Sequence, residues 1–151
     1  MKRTLVLAAC AALVTAAGAV RAHALAQQLY RGQLSGVIGS SVKLRVDPSE
    51  SGDQDLVRSF AARYFDVSCP GRGTLTMRRA KLLGEIPVGE GGGFSERDDN
   101  GETVFRVRGK LGLPGRRAQG TFRYQGAVEI DGTVANCDSG RLRWKARAGG
   151  S

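Results

Sequence analysis

The 151-residue sequence predicts an all-β domain, a single antiparallel β-sandwich or small barrel of about seven or eight strands. Three observations carry this expectation. Short runs of alternating apolar and polar residues recur along the chain, and segments rich in Gly, Asn and Asp separate them, with 22 glycines in all. No heptad, internal repeat or long helical stripe competes with that pattern.

The first segment is of a different kind. Lys2 and Arg3 precede an uncharged apolar stretch, Thr4 to Val20, and small residues follow it, which is the order of a secretory signal peptide with a short signal helix. Ala24-Leu25-Ala26 places alanine at both pocket positions before Gln27, so cleavage is expected after Ala26; Ala22-His23-Ala24 repeats the pattern two residues earlier. Two rival readings are weaker. Retention as an anchor asks for roughly 20 apolar residues, slightly more than this run supplies. A lipoprotein signal at Leu7-Ala8-Ala9-Cys10 leaves too little apolar sequence before the cysteine. The expected organisation is a signal peptide over 1–26 and one secreted or periplasmic β-domain over 27–151, with no transmembrane anchor after cleavage.

Cleavage would remove the single histidine, His23, and one of the three cysteines, Cys10. Cys69 and Cys137 then remain in an oxidising compartment, where pairing is the default. Such a bridge would stabilise the fold by roughly 4 kcal/mol through the loop it closes. No Cys-x-x-Cys spacing supports a redox pair.

The strands follow in order. Leu29–Leu34 and Val42–Val46 alternate and are joined through Ser35 to Ser40. Residues 55–64 are ambiguous: Leu56, Val57, Phe60, Ala61 and Tyr64 recur at helical spacing behind a Ser51-x-x-Gln54 capping box, which admits a short helical turn near 54–60. Ala61, Phe65, Val67 and Cys69 also fit a period of two, and the second half reads as strand. Thr74–Ala80 and Lys81–Val88 are weaker strands, and Gly89–Gly93 is a loop. Asp98-Asp99-Asn100-Gly101 supplies hairpin chemistry, because Asn and Gly tolerate positive φ. Beyond it Phe105, Val107, Gly109 and Leu111 share one face, Phe122 and Tyr124 another, and Leu142, Trp144 and Ala146 a third.

Charge gives the strongest functional signal. Residues 27–103 hold 10 basic and 11 acidic side chains, whereas residues 104–151 hold 10 basic and only 3 acidic. If the strands bearing Arg106, Arg108 and Lys110, then Arg123, then Arg141, Arg143, Lys145 and Arg147 are neighbours in one sheet, their outward side chains form a single basic face. Such a face attracts polyanions of the envelope or an acidic partner, and guanidinium forks suit phosphate and carboxylate. The competing reading is a plain solvated face. Specific nucleic-acid binding is not expected, because aromatic residues are missing from that face.

Catalytic and cofactor signals are poor. Without histidine, Ser-His-Asp and Cys-His systems and the common zinc sites are excluded, and Gly89–Gly93 lacks the Gly-Lys-Ser/Thr ending of a phosphate loop. Two acidic loops begin like calcium sites, but the twelfth position is Arg58 in the loop from Asp47 and Val107 in the loop from Glu96, where a bidentate Glu is needed. A carboxylate-dependent hydrolase using Glu85, Glu102 or Glu129 is the remote alternative, with nothing in their spacing to place two across a substrate. The expectation is a non-catalytic secreted module without cofactor or metal; the alternative is a purely structural secreted domain without a polyanion partner.

The segments Gly109-Lys110-Leu111, Ala118-x-Gly120-Thr121-Phe122 and Cys137-Asp138-Ser139-Gly140, with Trp144-x-Ala146, resemble a loose group of small secreted bacterial β-proteins of unknown function. The likeness covers about half the chain and its motifs are turns and core positions. It implies the β fold and the disulfide, and no activity. The separation of Cys69 and Cys137 also resembles an immunoglobulin bridge, but no Trp follows Cys69 closely and Ala135 stands where a Tyr is required.

Overall fold

A computed structural model describes residues 27–48, 54–112 and 116–149. The expected signal helix, the cleavage site and the centre of the Asp47–Asp55 loop lie outside these residues. Among the described residues there is no helix, and eleven strands form one antiparallel sheet: β1 (Gln28–Leu34), β2 (Ser41–Pro48), β3 (Asp55–Arg63), β4 (Phe65–Cys69), β5 (Gly73–Met77), β6 (Ala80–Pro87), β7 (Gly93–Asp99), β8 (Thr103–Gly112), β9 (Arg117–Ile130), β10 (Thr133–Asp138) and β11 (Leu142–Ala148). The all-β antiparallel class is as expected. The strand count of seven or eight is corrected to eleven, because the polar strands β7 and β10 give no apolar alternation to read and the bend at Tyr64 divides the run up to Cys69 into β3 and β4.

The sheet is not closed. One path runs β5-β4-β10-β9-β11-β1-β2-β3-β6, while β8 pairs with the other edge of β9 and carries β7. It nevertheless curls on itself, since Phe60 of β3 lies 6.0 Å from Phe105 of β8 and 5.3 Å from Trp144 of β11, ring centre to ring centre. The facing layers are therefore parts of one sheet. Inward residues of the strands meet in one cluster, in which Trp144, Tyr30, Phe60, Phe65 and Phe122 are the largest fully buried side chains.

Residues 54–60 correct the helical reading. Gln54 is a bend and residues 55–60 are strand, and the helical spacing of Val57 and Phe60 comes from a bulge: Val46 pairs with Val57 and Arg45 with Ser59, leaving Arg58 unpaired in the ladder. An extra residue in one strand puts positions three apart on the same face. Val57 and Phe60 are both buried, as the core requires. After Arg63 the chain bends at Tyr64, whose φ is 55°, and continues as β4.

The turns follow residue chemistry. At the β7–β8 hairpin Asn100 Oδ1 accepts from the backbone N–H of Glu102 and Thr103, and Gly101 takes a φ of 87°. Asp131 and Gly132, with φ of 50° and 75°, form a two-residue loop between Ile130 and Thr133, the positive-φ pair that a tight hairpin needs.

The disulfide joins Cys69 and Cys137 with the Cα atoms 4.3 Å apart. Cys137 is the penultimate residue of β10, and β4 meets β10 through one register pair, Asp138 with Ser68. The covalent bond thus staples a seam that the ladder holds weakly.

A candidate polyanion-binding face

Strand β9 organises the face. Its 14 residues expose two edges. Residues 117–126 pair with β8 along one edge, and along the other, 117–122 pair with β11 and 125–130 with β10. The sequence Cys137-Asp138-Ser139-Gly140 makes this switch possible. Ser139 closes the β9–β10 ladder, its Oγ accepting from the Tyr124 N–H at 2.9 Å and its own N–H donating to the Tyr124 carbonyl, and Gly140, at a φ of 64°, turns the chain into β11. Ser139 and Gly140 of this segment are thus structural positions.

Beneath the face sits Trp144. Gly109 of β8 lies opposite Gly120 of β9, and Gly120 opposite Trp144. A Cβ on Gly109 or Gly120 would come within 2.7 or 2.8 Å of the Trp144 ring, so only glycine lets the indole lie against both strands. The Trp144 indole N–H is buried and has no hydrogen-bond partner among the described residues.

Outward, the registers build ordered rows. Arg108 lies opposite Thr121, and Thr121 opposite Arg143; Lys110 lies opposite Gln119, and Gln119 opposite Lys145. One row therefore has arginine at both ends and the other lysine, each with a neutral polar residue between. A third row runs Arg117, Arg147, Arg31 and Lys43 across β9, β11, β1 and β2 with cations directly opposed. All four are exposed, as are Arg106, Arg108, Lys110, Arg141, Arg143 and Lys145. No ion pair to any of these ten is present among the described residues. Strands about 4.8 Å apart hold the third row in direct like-charge opposition, a destabilising arrangement of roughly 0.2–1 kcal/mol per pair.

Of the eight cations singled out in the sequence, seven thus stand exposed without an ion pair, all borne by β8, β11 and the turn before β11. Arg123 differs. Its Nε donates to Asp138 Oδ1 at 2.9 Å and its Nη2 to Oδ2, while Gln125 and the Gly140 N–H also donate to that carboxylate. Arg123 foremost holds the Asp138 carboxyl below its ordinary range; burial opposes it, and the Gly140 N–H and Gln125 add to the lowering. Arg123 serves the β9–β10 seam. Sequence reasoning missed Arg31, Lys43 and Arg117; the Arg31–Lys43 pair is legible once β1 and β2 are registered as a hairpin, whereas Arg31 beside Arg147 is not.

Two open hollows lie along the face. One of about 420 Å³ is lined by Arg106, Arg108, Thr121, Arg123 and Arg141 with Ser95, Glu96 and Arg97 of β7. The other, about 730 Å³, is lined by Ser35, Arg108, Lys110, Gln119, Thr121, Arg143 and Lys145 over Gly109, Gly120 and Trp144. They share Arg108 and Thr121 and so form one trough along β9.

The three carboxylates considered for hydrolysis, Glu85, Glu102 and Glu129, do not line the trough. Glu85 on β6 is ion-paired with Arg58, Glu102 sits in the β7–β8 turn, and Glu129 lies near the end of β9 opposite Val134. Glu96, Asp98 and Asn100 belong to the β7–β8 hairpin. Among the described residues no group of three or more His, Cys, Asp or Glu side chains is placed to hold a metal. Comparison with protein-family models, curated proteins and solved structures finds no match.

Proposed function

We propose that this protein is a non-catalytic, secreted or periplasmic binding module that holds an anionic component of the cell envelope on the outer face of β8, β9 and β11. One observation carries the reading: Arg108, Lys110, Arg117, Arg143, Lys145 and Arg147 of three adjacent strands stand together with no ion pair among the described residues, whereas Arg45, Arg58, Arg97 and Arg123 are paired with Asp47, Glu85, Asp99 and Asp138. Leaving exposed like charges opposed costs stability, and an anionic ligand repays that by relieving the repulsion. The secretory leader read from the sequence of residues 1–26 supports a location outside the cytoplasm. The test is retention of the mature protein on a sulfated resin at low salt. Replacing Arg141, Arg143 and Lys145 by Ser is expected to shift elution to clearly lower salt; unchanged retention, or none in the parent protein, favours a structural domain without a polyanion partner.

A further inference from the structure

We infer that the ligand is a linear glycan carrying sulfate or phosphate groups, extended along β9 with its charges taken by β8 on one side and β11 on the other. This narrows the polyanion-binding reading above and rests on it. Alternate residues of a strand are about 7 Å apart, and β8 and β11 stand about 10 Å apart across β9. Arg108 with Lys110 and Arg143 with Lys145 therefore form two rails in register, one on each side of the trough. A chain between them meets cations on both flanks at each step.

The floor selects the class of polymer. Thr121 and Gln119 offer a hydroxyl and an amide, which pair with sugar hydroxyls while the rails take the acidic groups. No aromatic side chain projects outward from these strands, so the bases of a single-stranded nucleic acid have nothing to stack on. The trough also lies on the outside of a curled sheet, whose core-facing side holds Phe105, Phe122 and Trp144. A flat lipid surface would rest on the long Arg and Lys side chains of the rails, whereas a single extended chain fits between them and reaches the shorter Thr121 and Gln119. The arginine row grips sulfate or phosphate with paired N–H groups, and the lysine row adds point charges one step further along.

The experiment is calorimetric titration of the mature protein with sulfated oligosaccharides of increasing length, a phosphorylated oligosaccharide, inorganic sulfate, anionic phospholipid vesicles and a single-stranded oligonucleotide. Affinity is expected to rise with length until the chain covers about 14 Å of β9 and then to level off. The sulfated and phosphorylated arms show which group is preferred. Thr121→Glu places a carboxylate between the rails and is expected to weaken oligosaccharide binding by about tenfold or more, with Gln119→Glu as a second variant should the first fold poorly. Arg31→Ser, outside the trough, is expected to cost about twofold. Oligosaccharide binding that ignores both floor variants overturns the inference, as does tighter binding of vesicles or oligonucleotide; either result leaves a polyanion-binding face in place. Failure of every polyanion to bind overturns the broader reading with it.

Discussion

The two halves of β9 carry similar residues in different company. In the second half Arg123 and Gln125 reach Asp138 of β10, and the neighbouring Cys69–Cys137 bond ties β10 to β4. In the first half Arg117, Gln119 and Thr121 lie opposite Arg147, Lys145 and Arg143 of β11, and Gln119 and Thr121 opposite Lys110 and Arg108 of β8. The same contrast recurs at the bulge, where Arg45 and Arg58 share Asp47 and Arg58 also holds Glu85. An arginine here is a brace or a free charge according to whether a carboxylate lies in reach, on another strand for Arg58 and Arg123 or two residues along for Arg45 and Arg97, and residue type alone does not decide which.

The largest expected effect is on the packing under the free-charge half. Trp144→Ala should destabilise the fold by about 3–5 kcal/mol in chemical denaturation, because the ring packs against Phe60, Phe94 and the Gly109–Gly120 pair. Trp144→Phe should cost much less, since it keeps an aromatic ring and removes a buried N–H that has no partner among the described residues. Equal costs would mean that the indole N–H makes a bond that matters.

Next comes the braced half. Replacing Cys69 and Cys137 together by Ser should cost about 2–4 kcal/mol, read from denaturation of the variant against the oxidised parent. Because the bond sits at the β4–β10 seam, polyanion retention of the variant should persist wherever it remains folded; loss of retention in a folded variant would show that the two halves are coupled.

Smaller still is the effect of acid. The folded-state pKa of Asp138 is depressed, chiefly by Arg123, so its contribution to stability is present above the ordinary aspartate value of about 4 and is lost as pH falls through the folded value. Asp138→Asn should therefore flatten the acid side of the stability profile. A profile identical to that of the parent would remove Asp138 from the brace. Arg143→Ser with Lys145→Ser should change stability by no more than about 0.5 kcal/mol, because neither makes an ion pair among the described residues.

Local chemistry was legible in the sequence and long-range register was not. The alternation of Phe105 to Leu111 and of Leu142 to Ala146, the Asn100-Gly101 turn and the cysteine pair all depend on near neighbours or on elimination, and the structure places each as expected. The Arg58 bulge imitated helical spacing because one inserted residue changes the strand period locally. The Asp131-Gly132 hairpin had a readable signal, a positive-φ dipeptide between Ile130 and Val134, and was overlooked. The β1–β11 pairing brings Arg31 beside Arg147 from opposite ends of the domain, and nothing local in either strand announces it. Arg123 was grouped with the free cations because the Asp138 that neutralises it arrives 15 residues later across a hairpin.

The most direct test of the free-charge and braced distinction is charge-matched. Arg143→Ser with Lys145→Ser and Arg45→Ser with Arg58→Ser each remove two positive charges, the first pair from the trough and the second from the bulge network. Elution of each folded variant from a sulfated-glycan resin in a salt gradient compares position at constant net charge. The trough variant is predicted to elute at much lower salt and the bulge variant close to the parent; equal shifts would show that retention follows net charge, and would contradict a binding face on β8, β9 and β11.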